Sequence, residues 1–151
     1  MLLKISSRVD TILLAPSFDK LSKILPARPT GGIFERGFVP KISEIGKRHP
    51  VTKNLVNREK LLIAEKDWGK WFRQVETKLL SGSVVMHGIQ NMPLLILDRK
   101  VEGRVALLLS DHIWLWARGY QGGGPYAELL RRTVHWLMKE PELEEESLEA
   151  A

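Results

Sequence analysis

Two uninterrupted apolar runs, Leu94–Leu97 and Val105–Leu109, constrain this chain more than any other feature in it. A strand with one wet face alternates polar and apolar residues. A continuous run instead suits a strand covered on both faces, as in a layered α/β sheet. The link from Asp98 to Gly103 is too short for the helical crossover that parallel neighbours need. The two runs are therefore expected to pair as an antiparallel hairpin turning near Glu102-Gly103. Val84-Val85-Met86 is a third, shorter run.

The end of the chain carries the clearest helical pattern. A short helical piece is expected from Ile113 to Ala117, followed by a glycine-rich turn and a long helix from Pro125. Proline at a first helical position costs no hydrogen bond, because that N–H has no partner anyway. Tyr126, Leu129, Leu130, Thr133, Val134, Leu137 and Met138 recur at i, i+3, i+4 spacing and are assigned to the core. Glu128, Arg131, Arg132, His135 and Lys139 are assigned to solvent, and Pro141 ends the helix.

The first half is less patterned. Ser17 is a plausible N-cap for a helix bearing Phe18, Leu21, Ile24 and Leu25, which Pro26 stops. Pro26 to Gly32 reads as an extended crossing loop, and Ile33-Phe34 with Phe38-Val39 as a short edge strand ended by Pro40. His49-Pro50-Val51-Thr52 is expected to be extended, since a residue before proline is pushed out of the α region. A short helix is expected from Asn57 through Leu61, Leu62 and Ala64, and Trp68, Trp71 and Phe72 give a polar stretch something large to bury.

With 151 residues, 44% hydrophobic and 27% charged, the chain fits one globular domain and not a disordered one. No run approaches the roughly 20 apolar residues that a membrane span needs. Arg8 and Asp10 interrupt the start before a signal peptide could form, so a soluble chain is expected. The net charge of +5 conceals an acidic end, with six glutamates in residues 140–151. The remaining body is correspondingly basic. Its cations are scattered, with Lys47-Arg48 and Arg131-Arg132 the longest clusters, which reads as a solvated surface ahead of a nucleic-acid interface.

Zero cysteines remove disulfides, thiolate metal sites and cysteine nucleophiles together. Of the four histidines, His49, His87 and His135 lack a neighbour that would enlist them. His112 follows Asp111 at the carboxyl end of a buried strand, where ligands of α/β sheets collect. Asp111, His112 and Arg118 are the candidate catalytic set, and the plainer reading makes Asp111 the cap of the following helix. Gly122-Gly123-Gly124 before a helix invites a phosphate cradle. It lacks the P-loop ending, Pro125 removes a donor, and a flexible turn is the simpler role. The histidine spacings match no metal motif, and no cofactor is expected. Trp114 and Trp116 are expected to split, one toward the core and one toward the surface.

The stretches Pro93–Asp98, Glu102–Asp111 and Trp114-Leu115-Trp116 resemble the end of a bacterial class I glutamine amidotransferase-like domain. His49–Leu55 and Trp68–Arg73 resemble the same group. Gly122–Pro125, Leu129–Arg132 and His135–Glu146 look like a branch carried inside larger membrane-anchored bacterial proteins. The likeness spans Leu25 to Glu149. It implies a partial flavodoxin-like α/β sheet with an antiparallel hairpin and a C-terminal helix. Members carry a nucleophilic cysteine in the first half of the domain and an H-x-E arrangement after the last strand. Neither is present here, so glutamine hydrolysis is not expected.

The expected organisation is a poorly patterned segment 1–30, a partial amidotransferase-like domain 31–140 and an acidic tail or linker 141–151. The resulting functional expectation is a non-catalytic interaction or ligand-sensing module, a fragment of a larger envelope-associated protein. Its expected partners are the rest of that protein or a membrane-protein complex. At least one side of the sheet should then lack its covering helices, leading to self-association. The rivals are a hydrolase or transferase using Asp111 and His112 completed by another chain, and a basic nucleic-acid-binding module.

Overall fold

The computed structural model describes residues 22–55, 65–101 and 103–139, together with the backbone of Leu2–Lys4. The expected helix start at Ser17 and Phe18, the short helix from Asn57 to Ala64, Glu102, Pro141 and the acidic tail lie outside the described residues. The elements are β1 (Leu2–Lys4), β2 (Ala27–Phe34), β3 (Lys41–Ile42), β4 (Gln74–Leu79), β5 (Ser83–His87), β6 (Pro93–Lys100) and β7 (Gly103–Leu108), then α1 (Ile113–Ala117) and α2 (Tyr126–Leu137). The protein is mixed α/β, with largely antiparallel sheets and a C-terminal helix.

The two apolar runs form the expected hairpin, with Leu97 opposite Ala106 and Lys100 opposite Gly103. They lie at the heart of a five-stranded sheet ordered β1-β7-β6-β5-β3, in which β1 runs parallel to β7 and the other neighbours are antiparallel. A second, two-stranded sheet pairs β2 with β4.

Both faces of the central hairpin are covered, and where covering helices were expected to be missing a small sheet supplies the cover. On one face Leu95, Leu97 and Ala106 pack with Trp71, Trp116, Leu129 and Trp136. On the other, Ile96, Leu107 and Leu109 pack with Ala27 and Val75 of the small sheet. The covering element was hidden in sequence because β4 reads Gln-Val-Glu-Thr-Lys-Leu, with too few large apolar residues to announce a strand. Its partner β2 replaces the expected crossing loop. Pro29 is tolerated there because a two-stranded sheet has only edge strands, where a missing N–H leaves no ladder bond unmade.

His49-Pro50-Val51-Thr52 is not extended. The His49 carbonyl accepts the N–H groups of Thr52 and Lys53, at 3.0 and 2.8 Å, so the chain folds back in successive turns. Thr52 is buried and donates its hydroxyl to the Gly46 carbonyl at 2.6 Å. That bond, together with burial of Val51, outweighs the local preference imposed by Pro50.

The packed face of α2 is rotated from the expected one. Leu129 and Thr133 are buried as expected, but Val134 and Met138 are exposed, and Glu128 and Trp136, which the expected face left out, are buried. Arg132, assigned to solvent, instead bonds Glu128 through Nε (2.7 Å) and donates Nη1 to the Lys53 carbonyl (2.6 Å). A guanidinium long enough to reach back to the turn at Lys53 makes a polar position part of the packed side, which a hydrophobic count cannot register. The helix begins at Tyr126, with Pro125 as its N-cap.

Candidate functional site

The site forms where the end of β7 meets the approach to β4. Val75 donates its N–H to the Leu109 carbonyl at 2.9 Å, and this joins residues 72–75 to residues 109–112 along their length. Ser110, buried, donates its hydroxyl to the Arg73 carbonyl at 2.6 Å and accepts the His112 N–H at 3.1 Å. The Phe72 N–H donates to Nδ1 of His112 at 3.0 Å. These bonds fix the orientation of the polar turn Ser110-Asp111-His112.

Asp111 and His112 are thus brought together, with Nε2 of His112 3.9 Å from Asp111 Oδ1. Because Nδ1 accepts a hydrogen bond, the proton of the neutral ring sits on Nε2, on the Asp111 side. Burial pushes the His112 pKa down, with Asp111 opposing and Arg73 reinforcing the shift. Asp111 does not cap the helix: His112 is the N-cap residue of α1 and no side chain caps it. The aspartate instead faces Arg73, whose Nη1 lies 3.8 Å from Oδ2, while Nη2 reaches Glu35 at 3.4 Å.

Arg118 is not part of this group. It ends α1 with its backbone N–H bonded to the Trp114 carbonyl and its side chain exposed. Arg73 takes the place expected for it. Arg73 was invisible as a site residue because 38 positions separate it from Asp111, and only recognition of β4 would have aligned the two. Trp114, half exposed at 51%, lies 6.3 Å ring to ring from His112 and adds a flat apolar flank.

The glycine run is a packed seat. Gly123 and Gly124 are buried, and a Cβ on Gly124 would collide with the Trp116 ring. Gly69 donates to the Gly123 carbonyl at 2.8 Å, and Trp116 Nε1 donates to the Gly69 carbonyl at 2.7 Å. Its backbone is committed to tryptophan packing. Among the described residues no three His, Asp or Glu side chains converge as a metal ion would require.

The other histidines lie elsewhere. His87 ends β5, its pKa lowered by burial, and His135 is partly buried on α2. His49 packs edge-on to Trp136 at 5.8 Å, and its Nδ1 accepts the Val51 N–H at 3.2 Å. Burial first, then the charges of Arg99 and Arg104, hold its pKa down to about 4. A base whose folded pKa lies below its unfolded value leaves the unfolded chain holding more protons between the two. Stability should therefore be intact above about pH 6.5 and fall toward about pH 4, by up to about 1.4 kcal/mol per unit. In His49→Asn, whose carboxamide oxygen can take the Val51 N–H, urea titrations across this window should show most of that slope gone. An unchanged slope would assign the effect to another group.

No family model, curated protein or solved structure matches this chain. Its functional reading therefore rests on the residues and their geometry. Among the described residues, no helix is long and apolar enough to cross a membrane.

Proposed function

We propose that this chain is a non-catalytic interaction or ligand-sensing module whose recognition site is Asp111, Arg73 and His112, flanked by Trp114. The observation that carries this reading is the state of the two groups that chemistry would need. The Ser110 hydroxyl is buried and spent on the Arg73 carbonyl, and Nδ1 of His112 is spent on the Phe72 N–H. A nucleophile requires an adjacent free base, and neither group is available to the other. What stays accessible is a carboxylate and a guanidinium side by side, suited to holding a polar ligand.

Within this proposal the chain is part of a flavodoxin-like, class I glutamine amidotransferase-like domain of a larger envelope-associated protein, with the rest of that protein or a membrane complex as partner. The position of the polar turn beyond the carboxyl end of β7, next to the parallel strand β1, supports the assignment. A second reading, a hydrolase or transferase completed by another chain, draws on the approach of Asp111 to Nε2 of His112.

Glutamine serves as the probe for both readings. The purified chain should release no ammonia from it above a buffer blank. Tryptophan fluorescence should respond to it saturably, and the response should disappear in Asp111→Ala and in Trp114→Phe, which leaves the other four tryptophans in place. Ammonia release that survives repurification and disappears in Asp111→Ala or His112→Ala would replace the sensing reading with the enzymatic one. No saturable response at millimolar glutamine would remove glutamine-like ligands from the proposal.

A further inference from the structure

The distances around Asp111 define the ligand chemistry of the site more narrowly than its charges do. Oδ1 lies 3.9 Å from Nε2 of His112, and Oδ2 lies 3.8 Å from Nη1 of Arg73. Both separations are too long for a hydrogen bond and short enough for one further polar atom to bond both sides. Among the described residues neither oxygen of Asp111 accepts a hydrogen bond, although the carboxylate is only 22% exposed. Nε2 carries the ring proton, because Nδ1 is taken by the Phe72 N–H. Donor, acceptor, acceptor and donor thus stand in order along one edge: Nε2–H, Oδ1, Oδ2 and Nη1–H.

Each neighbouring nitrogen and oxygen is matched by a group that both donates and accepts. A hydroxyl does so, giving its proton to the carboxylate and taking one from the nitrogen. A carboxamide such as that of glutamine matches one such pair. Two hydroxyls on adjacent carbons match both, since they sit side by side against the two oxygens of a single carboxylate. Simple ions fit poorly. Nη2 of Arg73 reaches Glu35 at 3.4 Å, so the guanidinium already faces two carboxylates, which repel an anion, while its own charge repels a cation. Beside this polar edge stands Trp114, 51% exposed, its ring turned 79° from that of His112 with 6.3 Å between centroids. A half-exposed indole offers a flat apolar face with negative π density, which suits the C–H side of a saturated ring.

We infer that the ligand of this site is a neutral saccharide. Its pyranose ring lies on Trp114, and a vicinal pair of its hydroxyls donates to Oδ1 and Oδ2 of Asp111 while accepting from His112 Nε2–H and Arg73 Nη1–H. The inference rests on the reading of Asp111, Arg73 and His112 as a recognition site and supplies the class of ligand. An apolar platform with a few placed polar groups is the general composition of a small-molecule site.

Ligand-observed saturation-transfer NMR on the full chain tests it, with the methyl glycosides of glucose, mannose and galactose as probes and glutamine alongside. At least one glycoside should bind saturably at millimolar concentration, and more tightly than glutamine. Its fully O-methylated form, whose oxygens accept but cannot donate, should not bind. Asp111→Ala should weaken binding by about tenfold or more, as expected for hydrogen bonds to a charged group. Asp111→Asn, of the same size, should fall between that variant and the wild type. Trp114→Ala should weaken binding about threefold through loss of the stacking face. If no glycoside binds, the inference is overturned, and glutamine binding under the same conditions would leave the recognition site standing. Glycoside binding that is unchanged in Asp111→Ala, or kept by the O-methylated form, would also overturn it. Cleavage of 4-nitrophenyl glycosides that disappears in Asp111→Ala would instead replace the non-catalytic reading and keep the saccharide as ligand.

Discussion

Replacing Trp116 with alanine is expected to destabilise the protein by about 3–5 kcal/mol, enough to unfold a domain of ordinary stability. Trp116 is 2% exposed and its ring lies 5.2 Å from Trp68 and 4.9 Å from Trp71, centroid to centroid. Its Nε1 holds the Gly69 carbonyl, and Gly124 is flat against its face. The truncation would open a cavity under the glycine seat and release the Gly69–Gly123 contact. Trp114→Ala, two residues away on the exposed side of α1, should cost less than about 1 kcal/mol. Trp116→Phe separates the ring from its hydrogen bond, and about 1 kcal/mol of loss is expected for the bond. Chemical denaturation of the three variants decides the matter. Similar midpoints for Trp114→Ala and Trp116→Ala would mean that the tryptophan cluster is not the centre of the core.

Removing the buried carboxylate of α2 should have the next largest effect. Glu128 accepts from Arg131 Nε and Nη2 at 3.1 and 2.9 Å, and from Arg132 Nε at 2.7 Å. Those bonds, Arg131 first, hold its pKa down to about 2 against the opposing effect of burial. Glu128→Ala would leave the Arg132 guanidinium, itself only 16% exposed, without its carboxylate partner, at a cost of about 3 kcal/mol. The depressed pKa also sets a pH window. The stabilisation is complete above about pH 4.5 and is lost as the pH falls through about 2, so wild type and variant should converge in strong acid. Stability curves that stay parallel down to pH 2 would show that the ion pair contributes little. Leu130 is only partly buried, whereas Arg132 ties α2 to the turn at Lys53.

The sequence alone determined the parts of this protein that depend on local pattern. Two continuous apolar runs with a short link admit little besides a hairpin covered on both faces, because an antiparallel turn needs few residues and a crossover needs many. Ile113–Ala117 and the helix after Pro125 follow from periodicity, and the division of Trp114 and Trp116 between surface and core follows from their spacing. Asp111 and His112 were legible as a pair because they are adjacent and follow a buried strand.

Tertiary structure decided whatever depends on chain segments distant in sequence. β2 and β4 each carry too few apolar residues to declare themselves, and become strands by pairing with each other over the second face of the hairpin. Arg73 joins the site in place of Arg118 because that pairing brings the chain before β4 alongside the end of β7. Asp111 faces Arg73 instead of capping a helix for the same reason. Glu128 and Arg132 enter the packed face because ionic partners and a distant carbonyl compensate their burial, which is a property of neighbours and not of hydrophobicity. The turns at His49 override the preference set by Pro50 because Thr52 finds a buried carbonyl at Gly46. In each case a local tendency worth a fraction of a kcal/mol met a contact worth more, and the contact prevailed.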